Sequence, residues 1–119
     1  MADKICPYAD RCGGCDLQGI KYSEQLLQKN EYMGNLFANL SEVEPIIGMD
    51  NPMNYRCKST ATYGYTKGKG CISGVYAKNS HKIVSVKSCN IVDDKANEIH
   101  RTILELVKSF KIRVYDEDR

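Results

Sequence analysis

The segment CPYADRCGGCDLQG, residues 6–19, sets three cysteines within ten residues around a Gly-Gly pair. Residues 1–20 hold few apolar groups to order them, so this stretch reads as a loop shaped by whatever its thiols bind. Cys6, Cys12 and Cys15 have the spacing C-x5-C-x2-C. The glycines at 13 and 14 let the backbone curl, so that thiolates converge and main-chain N–H groups face the sulfurs. The chain carries six cysteines, and its first residues lack the apolar run of a secretory signal. A reducing compartment is therefore expected, and metal or cluster ligation is favoured over a disulfide framework. A centre held by three neighbouring cysteines needs a distant fourth, and Cys89, just before the chain turns toward its second helix, is best placed. Cys57 and Cys71 fall in predicted strands and read as small, partly buried side chains or free thiols. On spacing alone three readings stay open: a 4Fe-4S cluster, a four-cysteine zinc site, or disulfides.

A length of 119 residues is that of one domain. The expected organisation is a Cys-rich loop over 1–20 and an α+β unit over 21–119. Leu26, Leu27, Met33, Leu36, Phe37 and Leu40 recur at helical spacing, which predicts a helix from Tyr22 to Asn39 with Ser23 as N-cap. Glu44 to Gly48 reads as a short strand. Tyr55 to Tyr65, Cys71 to Lys78 and the run HKIVSVK predict an antiparallel meander over 55–87, with a turn at residues 66–70 and another at Asn79-Ser80. Asp93-Asp94 opens a second helix, with Ile99, Ile103, Leu106, Val107 and Phe110 on one face. Lys111 to Tyr115 resembles a further strand running into a polar turn at Asp116-Glu117-Asp118. Such a strand normally has a partner beyond it, so the chain reads as part of a longer one. The expected fold is α+β, an antiparallel sheet with two flanking helices and the N-terminal Cys-rich loop. No run reaches the length of a membrane span, and a soluble, cytoplasmic protein with no membrane partner is expected.

Charge is distributed unevenly. The whole chain carries +2, yet Asn51 to Val92 contains no acid. Arg56, Lys58, Lys67, Lys69, Lys78, Lys82 and Lys87 lie in that segment, leaving 10 basic and 15 acidic residues for the rest. A basic stretch in an acidic frame is what one surface meeting a polyanion requires. Tyr55, Tyr63, Tyr65, Tyr76 and His81 are interleaved with these cations, as in proteins that stack unpaired bases on aromatic rings while cations hold phosphates. Arg56, Lys58, Lys67, Lys69, His81 and Lys82 are the candidate RNA contacts.

Complete catalytic signatures are missing. Gly64, Gly68 and Gly70 form no dinucleotide fingerprint, because a strand and not a helix follows them. His100 sits at the edge of an apolar helix face, where a boundary role is expected. The acids at 116–118 form a solvated turn and not an acid/base pair.

The same residues resemble a known family. CPYADRCGGCDLQG is similar to the C-P-x4-C-G-G-C-x2-Q motif of the RNA uracil-5-methyltransferases of the RumA/TrmA type. NYRCK resembles that family's YRNK segment, with Cys57 where the family has Asn. GVYAKNSHKIVSVKSCNI resembles its G-x-Y-x3-S-H-x-I-V-x-I-x2-C pattern, and VYDED its following segment. The resemblance implies that Cys6, Cys12, Cys15 and Cys89 ligate a 4Fe-4S cluster and that Arg56 and Lys58 belong to a central RNA-contacting domain. It implies 23S ribosomal RNA as partner and S-adenosylmethionine as methyl donor. The donor would be bound by a C-terminal domain that also supplies the nucleophilic cysteine. The implied chemistry is thiolate addition to C6 of a flipped uracil, methylation at C5 and elimination. The portion in this chain would grip RNA and be inactive alone.

Overall fold

The computed structural model describes residues 6–116. Along the chain come helix α1 (Tyr22–Phe37), strands β1 (Thr62–Thr66), β2 (Gly70–Tyr76) and β3 (Ile83–Ser85), and helix α2 (Asp94–Ser109). The strands form one antiparallel sheet in the order β1-β2-β3. The architecture is α+β, as expected. No helix among the described residues is long and apolar enough to cross a membrane.

The sheet is organised around β2. Alternation along a strand puts Cys71, Ser73 and Val75 on one face and Ile72, Gly74 and Tyr76 on the other. Among the described residues, Cys71, Ile72, Val84 and Val92 are the buried apolar ones, and Ser73 is buried too. Any Cβ at Gly74 would collide with the Val84 carbonyl oxygen, so glycine is what allows β3 to lie this close. Gly68 and Gly70 take positive φ values of 84° and 70° in the β1–β2 hairpin, where a side chain would be strained.

Helix α2 packs against β2. It begins where the paired aspartates predict: the Asp93 carboxylate accepts from the backbone N–H groups of Lys95 and Ala96. It ends in a Schellman arrangement, with Lys111 at φ 53° and the N–H groups of Lys111 and Ile112 bonded to the carbonyls of Lys108 and Val107. Its apolar stripe is largely uncovered. Ile99, Ile103, Leu106 and Phe110 are 50, 40, 48 and 73% exposed, so most of the apolar face looks to solvent. The face at Asn97, His100, Arg101, Leu104, Glu105 and Lys108 lines a cleft shared with the sheet.

Helix α1 starts at Tyr22 as predicted, but Ser23 lies inside it. Lys21 holds the N-cap position without a side-chain bond. The Gln25 amide instead ties the helix to the loop before it, donating to the carbonyls of Leu17 and Ile20 at 3.2 and 2.8 Å. The expected strand at Glu44 to Gly48 is not formed. Its backbone is held by helix side chains, Ile46 N–H on Asn30 Oδ1 at 2.7 Å and Met49 N–H on the Tyr22 hydroxyl at 2.9 Å, which leaves no strand for it to pair with. The strand expected from Tyr55 begins only at Thr62, because Arg56 is engaged in an isolated parallel bridge to Val92. Lys111 to Tyr115 is likewise not a strand: the described residues offer it no ladder, and the Tyr65 hydroxyl donates to the Ile112 carbonyl. Residues 1–5 of the Cys-rich segment, and Glu117 and Asp118 of the polar turn, lie outside the described residues.

The radius of gyration is 18.2 Å, against roughly 13.5 Å for a compact domain of this length. The accessible surface of 9733 Å² exceeds the roughly 6500 Å² of a compact monomer of this mass. Exposed apolar side chains on both helices account for part of that excess.

Candidate functional site

Local hydrogen bonding shapes the cysteine loop. The N–H of Cys12 bonds the Tyr8 carbonyl at 2.8 Å and that of Ala9 the Cys6 carbonyl at 3.1 Å, forming a tight coil between the first two thiols. Gly14 N–H faces Cys12 Sγ at 3.4 Å. Gly13 N–H reaches out to the Tyr76 carbonyl at 3.0 Å, and Cys12 bridges Ala77, so the loop docks on the end of β2. A Cβ at Gly13 would sit 2.8 Å from the Tyr76 oxygen and 2.9 Å from the Lys78 nitrogen, so only glycine fits there.

Cys89 approaches from elsewhere in the chain. Lys87 N–H donates to the Tyr8 hydroxyl at 3.2 Å, fastening the segment after β3 to the cysteine loop. Asn97, in the first turns of α2, clamps the same segment. Its Oδ1 accepts from Cys89 N–H at 2.8 Å, and its Nδ2 donates to the carbonyls of Cys89 and Val92, each at 3.0 Å. Cys6, Cys12, Cys15 and Cys89 consequently line a single cleft of about 1060 Å³. Burial pushes the Cys15 thiol above its ordinary value. The neighbouring thiols of Cys89, Cys12 and Cys6, in decreasing order, push the same way, while the Arg56 guanidinium pulls it down. Among the described residues no three His, Cys, Asp or Glu side chains are gathered closely enough to hold one metal ion.

Arg56 and Lys58 line this cleft. Arg56 is placed by its backbone: its N–H bonds the Ile91 carbonyl at 2.8 Å and its carbonyl accepts from Asp93 N–H at 3.1 Å. Asn54, at φ 53°, supports the same crossing by donating to the Val92 carbonyl and the Asp94 carboxylate. The other candidate RNA contacts are not gathered there. Lys67 and Lys69 sit in the β1–β2 turn, whereas His81 and Lys82 sit in the β2–β3 connection beside the cysteine loop. These turns lie at opposite ends of β2, about 20 Å apart at strand rise. His81 packs its ring against Tyr76, centroids 5.4 Å apart. The expected single basic face is therefore divided.

Cys57 differs from its expected partly buried strand position: it is exposed, outside any strand, and lines the cleft. Cys71 is buried in the sheet, in keeping with the small-hydrophobe reading. His100 bonds Ser59 Oγ at 2.8 Å, holding α2 to the segment that leads into β1. Arg101 and Lys108 of α2 also line the cleft, and charge counting over 51–92 missed them because they lie outside that window. The spacing 97, 100, 101, 104, 105, 108 was the available signal, a polar stripe at helical period.

No family model matches the chain. It is similar to proteins named "Uncharacterized RNA methyltransferase" in several bacteria. One from Clostridium tetani is 40% identical over 116 residues, covering 94% of this chain and 25% of the relative. One from Staphylococcus aureus strain COL is 34% identical over 117 residues, 94% of this chain and 26% of the relative. One from Bacillus cereus is 32% identical over 120 residues, 96% and 26%. The chain thus spans about a quarter of the length of the curated relatives it matches.

Proposed function

We propose that this chain, which belongs to the RNA methyltransferase family and spans a quarter of its relatives' length, is the cluster-holding, RNA-gripping part of a uracil-5 methyltransferase. Cys6, Cys12, Cys15 and Cys89 would hold a 4Fe-4S cluster, and Arg56 and Lys58 would contact RNA, with 23S ribosomal RNA as the expected partner. S-adenosylmethionine, bound by the remainder of the longer protein, would supply the methyl group.

The observation that carries this reading is the meeting of Cys89 with a thiol trio more than seventy residues earlier in the sequence, in one cleft also lined by Arg56 and Lys58. The donor set fits: the cleft lining holds these four thiols, with Glu105 as its one carboxylate. A lone tetrahedral zinc, with Zn–S bonds of about 2.3 Å, needs its sulfurs about 3.8 Å apart. A cluster places each thiolate on its own iron at a separate corner, so the donors stand further apart. The two groups thus make different demands on the spacing of the four sulfurs, and the cluster is the one that the resemblance of the cysteine motif implies. With four cysteine ligands no iron keeps an open position, and the group's contribution is to tie the loop to the α2 side of the sheet. The chain's own residues do the rest: Asn97 fixes the Cys89 backbone, Gly13 seats the loop on β2, and the cations face an anionic strand.

The test is iron and acid-labile sulfide analysis of the chain purified without oxygen. Brown protein with iron and sulfide in equal amounts is expected, with both lost in Cys89→Ser and retained in Cys57→Ser. Unchanged iron in Cys89→Ser, or colourless protein carrying one zinc, would overturn the ligand assignment.

A further inference from the structure

The cleft has a feature that neither the acid-free segment nor the cysteine motif accounts for. Along α2, the residues facing it recur at positions 97, 100, 101, 104, 105 and 108, one continuous stripe of an α-helix. The helix as a whole is balanced in charge: Asp94, Glu98 and Glu105 against Lys95, Arg101 and Lys108. Its acids are partly withdrawn from the cleft. Asp94 accepts from the Asn54 amide, and Glu98 pairs with Lys95 at 3.2 Å. Arg101 and Lys108 are left facing the cleft beside Glu105.

With Arg56, Lys58 and Lys87, the lining reaches five cations against one acid, in a protein with 17 basic and 15 acidic residues. Among the described residues none of the five makes an ion pair. At 1.5 Å rise per residue, Lys108 stands about 16 Å along α2 from Asn97, which clamps Cys89, and Arg101 about 6 Å. The cationic row therefore leads away from the cysteines along the helix. Tyr55 lines the same cleft and is 53% exposed, and an aromatic ring beside cations stacks on bases only where they are unpaired.

We propose that Arg101 and Lys108 of α2, with Lys87, form a second cationic row in the cleft that holds the phosphate backbone of an unpaired RNA strand leading toward the cysteine end. This rests on the reading of RNA as the chain's partner and deepens it in two ways. It assigns RNA contacts to a helix outside the basic segment, and it selects single-stranded over double-stranded RNA. Base pairs would have to open before the strand enters, which fits recognition of loops and bulges.

The experiment is fluorescence anisotropy of a short labelled oligouridylate and of an RNA duplex of the same length. The binders are the whole chain purified without oxygen, its Arg101→Gln/Lys108→Gln variant, and a charge-matched Lys21→Gln/Lys29→Gln variant on α1, outside the cleft. Arg101 and Lys108 are both exposed, so unchanged circular dichroism and melting are expected of the variants. The α2 variant should bind the single strand about tenfold more weakly, with a salt slope shallower by about 1.4, as loss of two phosphate contacts requires. The α1 variant should bind as the parent does. If the α2 variant keeps the parent's affinity and slope, the second row is refuted while RNA binding stands. If the parent binds neither RNA, the underlying reading fails as well. Equal binding of the duplex, in competition with the single strand, would overturn strand selection.

Discussion

Asn97 is the side chain on which the position of Cys89 most depends, and Asn97→Ala tests that dependence. The substitution deletes one acceptor and two donor contacts, at 2.8, 3.0 and 3.0 Å, all to the segment between Cys89 and Val92. A net intramolecular hydrogen bond contributes about 1 kcal/mol, and more when its partner is left unsatisfied. Three would amount to about 3 kcal/mol; because the groups are only part-buried, water recovers some of this, and about 2 kcal/mol is expected. For a chain of this size that lowers the melting temperature by roughly 8 °C. Urea unfolding should show the same loss as a shift in midpoint at constant slope. Hydrogen exchange supplies the local readout: the Cys89 amide, which donates to Asn97 Oδ1, should lose protection first. Asn97→Asp keeps that acceptor and gives up the two donors, so it should retain Cys89 amide protection while losing most of the stability. A melting shift below about 2 °C in Asn97→Ala, with Cys89 still protected, would refute the clamp.

Three further outcomes follow from the same geometry. Gly13→Ala should cost about 1–3 kcal/mol, because its Cβ meets backbone atoms of Tyr76 and Lys78 that have no rotamer to yield; Gly14→Ala, whose nearest contact is Cys12 Sγ at 3.4 Å, should cost less in the same unfolding assay. In folded metal-free chain, iodoacetamide followed by mass spectrometry should label exposed Cys57 well before buried Cys71, and equal rates would contradict the burial of β2. Phe110→Ser should change stability by less than about 0.5 kcal/mol, since the ring is 73% exposed, while reducing fluorescence of a bound hydrophobic dye.

The elements that the sequence announced most clearly are those determined by local chemistry. The span of α1, the Asp93 cap of α2 and the strand order of the meander follow from apolar periodicity, capping, turn residues and alternation within short windows, although the cap expected at Ser23 is not formed. Cys89 was the expected partner of the amino-terminal trio because it precedes the turn toward the second helix, and it lines the same cleft as they do. Partners at long range were not legible. Glu44 to Gly48 has strand composition, yet Asn30 and Tyr22 take its N–H groups, and no window around residue 46 reveals that. Arg56 and Lys58 were expected on a strand face; they reach the cleft instead because Arg56 bridges Val92, more than thirty residues later. The basic stretch likewise looked like one surface in sequence and is divided in space, because a seven-residue β2 carries its two turns to opposite ends.

Helix α2 shows why periodicity alone assigns a face its polarity but not its neighbour. The apolar stripe at 99, 103, 106 and 110 predicts burial, and a hydrophobic face normally goes to the core. Here the core is small, with four buried apolar residues among the described ones, and polar links hold the helix to segments beside the sheet. Asn97 grips the Cys89 segment and His100 grips Ser59. Those bonds fix the rotation of the helix, because residues three apart share one face and both must point at the sheet side. With that face committed, the apolar stripe looks outward and adds to the excess surface over a compact monomer. The same rotation brings Arg101 and Lys108 into the cleft, one and three turns beyond Asn97. A single geometric choice, made by an asparagine and a histidine, thus sets the position of Cys89, the placing of Arg101 and Lys108 in the cleft and the exposed hydrophobic face together. Replacing Asn97 and His100 jointly should disturb all three, whereas changes at Ile103 or Leu106 should disturb only the last.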